Sequence, residues 1–306
     1  MVVITMSDES KKNTIQKNPS EDVTAAFHEN KSTDNKNTKP SVASKQEKHQ
    51  LRIKDLSFSY LRSRQIFKDI SFLAETSSPI CLLGPNGCGK TTLLSCLIGL
   101  NQPTSGSISI DGKTTKAMTG VQIAKNLGFV PQMITASFDY KVIDYVVCGC
   151  APHLKMFSRP GKEEYEQAWE ALKIMQITHL AQKSYMRLSG GEQQQVCIAR
   201  VLTQKANFIL LDEPTSHLDF GNQIRVLKII KEMSDAGFGL IMTTHNPDHA
   251  LMMEGKTLMM RDCGKYMFGD TKDIVTEENL RNLYGIELYL EMSKNANRIT
   301  CVAPSI

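Results

Sequence analysis

The chain has 306 residues, enough for two small domains or one large α/β domain. Hydrophobic residues make up 41% and charged residues 22%, which excludes a chain disordered throughout, since such chains hold too little apolar surface to offset ordering entropy. A total of 36 Lys and Arg against 32 Asp and Glu leaves a net charge of +4, too slight an excess to point to a nucleic-acid partner.

Residues 1–48 are rich in Lys, Asn, Ser, Thr and Glu and lack apolar periodicity, so they are expected to form a disordered polar tail. Its apolar start, Val2–Met6, is too short for the core of a signal peptide. Leu51–Ser57 reads as a strand and Ile80–Leu83 as a short buried strand. Thr91–Gly99 carries Leu93, Leu94, Leu97 and Ile98 at helical spacing, and Leu127–Val130 is a further strand. From about Met133 to Leu188 the pattern is mostly helical and reads as a separate lobe. Within it, Lys162–Met175 places Tyr165, Ala168, Trp169 and Leu172 on one expected face. Phe208–Leu211 and Leu240–Met242 are continuous apolar runs, as strands covered on both faces of a parallel sheet read. Strand and helix patterns in alternation predict an α/β core. No run of about 18 apolar residues is present, so the chain is not expected to span a membrane. Eight cysteines are scattered, several inside apolar segments, which fits small buried side chains in a reducing cytoplasm. Cys148 and Cys150 lack two further soft ligands nearby, so the pair does not read as a metal site.

Gly84-Pro85-Asn86-Gly87-Cys88-Gly89-Lys90-Thr91 fits G-x-x-x-x-G-K-[ST] and lies between a predicted strand and a predicted helix. Glycines let the backbone curl so that successive N–H groups point at a polyphosphate, and the helix N-terminus adds partial positive charge. Lys90 supplies a full charge to the terminal phosphates, the Thr91 hydroxyl can ligate Mg²⁺, and Thr92 extends the loop's ATP contacts. Phe208–Leu211 runs into Asp212 and Glu213, an apolar strand delivering two carboxylates to the sheet edge where ligands bind. Asp212 suits Mg²⁺ and Glu213 suits the attacking water. His245 and His249 are four apart, but there is no Glu between them and Pro247 disrupts the alignment that zinc would need.

Leu188-Ser189-Gly190-Gly191-Glu192 is the most informative segment. Ser189 and the amides of Gly190 and Gly191 sit at a predicted helix N-terminus, a second anion site. With this segment the chain resembles the ATP-binding subunits of ABC transporters. Leu188 lies 104 residues after Gly84 and 24 before Asp212, which suits that family's order. The resemblance covers roughly Leu51 to Tyr284. It implies a P-loop NTPase (RecA-like) core of α/β class with an antiparallel β subdomain and an inserted α-helical subdomain. The implied division is a tail at 1–48, an ATPase domain at 49–290 with its helical subdomain at about 133–190, and a C-terminal extension at 291–306.

The same resemblance implies residue roles. Tyr60, 24 residues before Gly84, matches the aromatic that stacks on adenine. Gln132 matches the glutamine that contacts Mg²⁺ and the attacking water. Ser216-His217-Leu218-Asp219 matches the loop that crosses to a partner subunit, and His245 matches the histidine near the γ-phosphate. His217 stands where Ala is frequent and Gln194 where a basic residue is frequent. Implied cofactors are ATP and Mg²⁺. Implied partners are a second ATPase subunit in a homodimer, integral membrane permease subunits, and a substrate-binding protein of the same system that the ATPase does not touch. The implied location is the cytoplasmic face of the cell membrane. Met133 to Pro160 is the expected permease-docking surface.

Within the family, Leu127–Gln132, Ser137–Tyr140, Ser216–Gln223, Asn279-Leu280 and Tyr284-Gly285 resemble the importers of iron-siderophores, haem and vitamin B12. Molybdate and tungstate importers look similar. A soluble non-transport ATPase of the family is the other alternative. DNA-repair types insert a long coiled coil where this chain has only about 100 residues and no sustained heptads, and ribosome-acting types usually carry two ATPase units. Lys90, Asp212, Glu213 and His245 together argue against a catalytically silent subunit.

Overall fold

The computed structural model describes residues 48–61, 64–132, 139–155, 157–261 and 264–305. The expected polar tail, apart from Lys48, lies outside the described residues, as does the stretch 133–138 of the expected docking surface.

The chain opens with two long antiparallel strands, β1 (Gln50–Leu61) and β2 (Arg64–Glu75). They form a sheet with β4 (Ser105–Ile110) and β5 (Lys113–Thr114), in the order β2-β1-β4-β5. Along β1, Leu51 and Ile53 are buried, and so are Leu56 and Phe58. The spacing of three between Ile53 and Leu56 would flip the apolar face in a regular strand. A bulge at this point, with Asp55 at φ 49, absorbs the extra residue and keeps all four on one side.

The central sheet has the order β10-β9-β3-β8-β7-β6. Its strands are β3 (Ile80–Leu83), β6 (Leu127–Val130), β7 (Phe208–Leu211), β8 (Gly239–Thr244), β9 (Lys256–Met260) and β10 (Tyr266–Asp270). All pairings are parallel except that of the edge strand β10. Every residue of β3, β7 and β8 is buried, which explains the unbroken apolar runs of β3, β7 and Leu240–Met242. The two faces feed different cores. Ile80 and Leu82 join the antiparallel sheet and α1 (Lys90–Leu97), while Cys81 and Leu83 join the helical side.

The lobe is helical but broken: α3 (Val142–Val147), single turns, α4 (Lys162–Ile174), then α5 (Gly190–Thr203), with the short α2 (Gly120–Asn126) preceding β6. On α4 the buried stripe is Ala168, Ala171 and Leu172, whereas Trp169 is exposed, contrary to the expected face. Ala171 moves the centre of the stripe, and Trp169 falls on its solvent side. Tyr145 and Tyr185 stack at 4.6 Å, the Arg200 guanidinium lies over the Tyr145 ring, and the Tyr185 hydroxyl meets Cys197 Sγ at 3.3 Å.

Helix α6 (Phe220–Asp235) and α7 (Pro247–Met253) cover the same face of the sheet. The chain ends with α8 (Thr271–Ile274), α9 (Glu277–Tyr284) and a hairpin of β11 (Tyr289–Ser293) and β12 (Arg298–Val302), which straddles residue 290. The hairpin is fastened to α7 through Asp248, whose carboxylate accepts from Arg298, the Thr300 hydroxyl and the Cys301 N–H at 3.0–3.1 Å. Among the described residues no helix is long and apolar enough to cross a membrane.

Gly149 marks the closest approach between the lobe's first turns and α5. A Cβ there would lie 1.9 Å from the Arg200 carbonyl oxygen and 2.0 Å from Thr203 Oγ1. Gly149→Ala is therefore expected to cost about 1–3 kcal/mol. A urea midpoint equal to that of the parent would show that the lobe yields without cost.

Candidate nucleotide site

Strands β3, β6, β7 and β8 end in register at one sheet edge. Leu83 pairs with Thr244, Leu211 with Met242, and Val130 with Leu211. The four segments that follow are the phosphate loop, Gln132, the Asp212-Glu213 pair and His245. Residues scattered over 160 positions of chain thus meet because parallel strands deliver their C-terminal ends to one place.

Gly89, at φ 106, turns the loop into α1 and caps it without a side chain. A Cβ at Gly89 would also lie 2.6 Å from the Ile66 side chain. The first amides of α1 consequently point into the loop, the arrangement that binds anions. Lys90 is buried and folds back over the loop. Its Nζ donates to the carbonyl oxygens of Gly84 at 2.8 Å and Pro85 at 3.0 Å, and lies 3.4 Å from Glu213 Oε1. Those contacts engage all three ammonium donors.

Asp212 is 2% exposed. Its Oδ1 accepts from the Thr243 hydroxyl at 2.7 Å and from the Thr91 hydroxyl at 3.1 Å. Thr243 in turn accepts the Glu213 N–H at 2.7 Å. Glu213 takes the left-handed backbone region, φ 43, and turns the chain sharply away from β7. Its carboxylate gathers the remaining groups: Gln132 Nε2 donates to Oε2 at 3.2 Å, and His245 Nδ1 lies 3.4 Å from the same oxygen. The His245 side chain is half exposed.

Tyr60 is exposed, packs edge-on against Phe58, and has its hydroxyl 3.1 Å from Thr92 Oγ1, so its ring is held beside α1. Ser189 caps α5 through a reciprocal box. Glu192 Oε2 accepts from the Ser189 N–H and hydroxyl at 2.8 and 2.9 Å, and Ser189 Oγ accepts the Glu192 N–H at 3.4 Å. These bonds, the Ser189 backbone N–H first, hold the Glu192 carboxyl below its ordinary range. The hydrogen bonds of Ser189 run into its own cap and not to the phosphate loop. In the 216–219 segment the Ser216 N–H and hydroxyl both donate to the Glu213 carbonyl, His217 has φ 63, and Asp219 caps α6.

Three residues for which the motifs supplied no role in the site stand around it. Thr243 donates to the Asp212 carboxylate and accepts the Glu213 backbone N–H. Tyr284 donates its hydroxyl to the His245 carbonyl at 2.6 Å. His249, 7% exposed, faces the Thr244 and Thr215 hydroxyls from α7, so its ring does not converge with that of His245.

The ABC transporter family profile matches residues 67–216. The chain is 33% identical over 245 residues to the molybdate import ATP-binding protein MolC of Haemophilus influenzae, covering 80% of this chain and 91% of that protein. It is 35% identical over 206 residues to the ferric enterobactin transport ATP-binding protein FepC of Escherichia coli, covering 67% and 76%. The chain belongs to the ABC transporter ATP-binding proteins. As a member of that ATPase family it binds nucleotide, and the ATPase subunits of such importers work with membrane permease subunits. A metal-chelate type ABC transporter in an inward-facing conformation matches this ABC fold with a TM-score of 0.75 and 32% identity, over 84% of this chain and 98% of that one.

Burial pushes the His249 imidazole down from 6.5 to about 4; His245 adds to the effect and Asp248 opposes it. The unfolded chain takes up this proton near pH 6.5, the folded chain only near 4. The stabilising contribution is therefore complete above about pH 6.5 and is lost as pH falls toward about 4, by up to about tenfold in the unfolding equilibrium per pH unit. Urea unfolding followed across this window should show a steeper loss for the parent than for His249→Gln. Identical slopes would show that the ring is accessible to protons in the folded chain.

Proposed function

We propose that the protein is the ATP-hydrolysing subunit of an importer for iron-siderophores or a related metal chelate such as haem or cobalamin, working at the cytoplasmic face of the membrane. The observation that supports hydrolysis most directly is the convergence of Lys90, Gln132 and His245 on the Glu213 carboxylate, beside the Thr91–Asp212 pair. Resemblance to the ferric enterobactin ATPase and to the metal-chelate transporter supports the cargo. Resemblance to the molybdate ATPase keeps molybdate or tungstate as the second reading.

The Gly84–Thr92 loop and Lys90 bind the phosphates, and the free face of Tyr60 stacks on adenine. The Thr91 hydroxyl and the Asp212 carboxylate, with Gln132, are hard oxygen donors of the kind Mg²⁺ takes. They would hold that ion, which when bound neutralises phosphate charge. A terminal phosphate competes with Glu213 for the Lys90 ammonium. Once Lys90 turns to the phosphate, the Glu213 carboxylate is released to orient and deprotonate water. His245, half exposed beside it, is placed to donate to the transferring phosphoryl group. Positioning and charge neutralisation supply most of such catalysis.

Ser189 and Gly190 are exposed at the N-terminus of α5, and the side-chain hydrogen bonds of Ser189 close within its own cap. Two chains arranged head to tail would let each α5 N-terminus face the partner's nucleotide, with Leu188–Glu192 and Ser216–Asp219 at the junction. ATP then closes the pair, and hydrolysis to two like-charged products reopens it. The ATPase domain is drawn at 49–290, with the helical subdomain at about 133–190 and the extension at 291–306. The substrate-binding protein meets the permease rather than this chain.

Glu213→Gln removes the carboxylate while keeping the shape, and is expected to lower turnover by at least about 100-fold while ATP still binds and holds the chains together. Phosphate release and gel filtration with ATP check this; undiminished turnover would take Glu213 out of the chemistry.

The docking surface is proposed to run from Met133 to Pro160. Val142 is fully buried, so substitutions there would report on folding, whereas Tyr140 and Phe157 are exposed, Phe157 at 96%. Tyr140→Ala with Phe157→Ala should leave basal ATPase within about twofold and uncouple it from uptake in reconstituted transporter. Loss of ATP binding in that variant would remove this surface from consideration.

A further inference from the structure

Among the buried titratable groups that the ATPase mechanism leaves unused is His249, 7% exposed. It lies in the first turn of α7, and its ring meets two functional loops. Nδ1 is 3.0 Å from Thr244 Oγ1 and 3.4 Å from Thr215 Oγ1, while Nε2 is 3.3 Å from Asn246 Nδ2. The hydrogen-bond pattern fixes the tautomer. Asn246 Oδ1 accepts the Asp248 N–H at 2.9 Å, which leaves Asn246 Nδ2 as the donor facing the ring. Nε2 must then accept, so Nδ1 carries the proton and shares it between the two threonine hydroxyls. A doubly protonated ring would set its Nε2–H against the Asn246 amide, in keeping with the lowered basicity of this histidine.

Thr215 belongs to the turn whose start is Glu213 and whose continuation is the Ser216–Asp219 loop; the Ser216 N–H donates to the Glu213 carbonyl across it. Thr244 and Asn246 flank His245, and the Thr244 hydroxyl accepts the Asn246 N–H at 3.0 Å. On the other side, Tyr284 holds the His245 carbonyl. The backbone of this turn is thus gripped from α7 and α9 while the His245 ring stays half exposed. The imidazole of His249 is the bridge between that turn and the turn carrying Glu213.

We propose that His249 is a positioning residue: it ties the 213–219 turn to the 244–246 turn, so that Glu213, the Ser216–Asp219 loop and His245 shift as one body when a partner chain closes on the nucleotide. The inference rests on the ATPase reading above. A ring that only filled core space would need neither the fixed tautomer nor the hydroxyl of Thr215, 34 positions away.

The test is steady-state ATPase of the full chain, with thermal unfolding measured in parallel. His249→Leu removes donor and acceptor and should lower kcat about tenfold, with KM for ATP changed less than about twofold. His249→Gln offers one donor and one acceptor and should recover most of the loss. Thr215→Val severs one arm alone; it should lower kcat about threefold, be rescued by Thr215→Ser, and add nothing on top of His249→Leu. Should His249→Leu fail to fold, the Thr215→Val and Thr215→Ser pair decides. Parental kcat in Thr215→Val and in His249→Leu, with only the melting temperature lowered, would overturn the role. So would independent, multiplicative effects of the two sites. Glu213→Gln serves as the control: if it hydrolyses normally the ATPase reading falls, and if it is dead while the Thr215 and His249 variants are normal only the positioning role falls.

Discussion

One hydroxyl sets the geometry on which the site depends. Thr243 donates to the Asp212 carboxylate and accepts from the Glu213 backbone N–H, so it fixes one carboxylate and the backbone from which the next one departs. Adjacent acids at a strand end would otherwise share solvent and repel each other. Here Asp212 is turned inward to Thr91 and Glu213 outward to Lys90, Gln132 and His245. The left-handed backbone at Glu213 carries the cost of that divergence, of order 1–3 kcal/mol. Burial of Thr243 at 0% exposure makes its hydrogen bonds hard to exchange with water, and the arrangement stiff.

The sheet makes this possible by being covered on both faces. Cys81 and Leu83 pack to one side, Ile80 and Leu82 to the other, so β3 cannot slip by one residue without exchanging its two cores. A fixed register places Gly84 beside Thr244, whose carbonyl accepts the Gly84 N–H at 3.3 Å, and places Asp212 beside Val130, whose carbonyl accepts the Asp212 N–H at 2.9 Å. The groups that converge from four strand ends are therefore positioned by apolar packing several residues below them. The polar edge itself contributes chemistry more than stability.

Strands β3, β6, β7 and the Leu240–Met242 part of β8 were legible because double-sided burial writes unbroken apolar runs, whereas β9 and the edge strand β10 did not stand out. The phosphate loop was legible because its glycines and Lys90 are consecutive. The Ser189 cap could be read too, since the capping residue and Glu192 are three apart. What stayed hidden was whatever depends on contacts between distant segments. Thr243 meets Glu213 across 30 positions and Tyr284 meets His245 across 39, and neither distance leaves a local pattern. Trp169 shows the limit of periodicity: several helical stripes fit the same apolar residues, and only the packing of Ala168 and Ala171 against the lobe chooses between them. The bulge at Asp55 is a second case, where alternation breaks and the backbone rather than the packing gives way.

The C-terminal hairpin acquires a reason from the same logic. In the role proposed for it, donation to a transferring phosphoryl group, His245 needs a fixed backbone, because a wandering backbone misplaces the proton by more than catalysis tolerates. The short helix α7 has seven residues and cannot hold the turn before it by its own hydrogen bonds. Asp248, next to the cap, takes three donors from β12, and Tyr284 reaches the His245 carbonyl from α9. Both anchors, like His245 itself, lie beyond the family profile's match, which ends at residue 216. The C-terminal segment thus braces the turn that carries His245, whose ring stays half exposed.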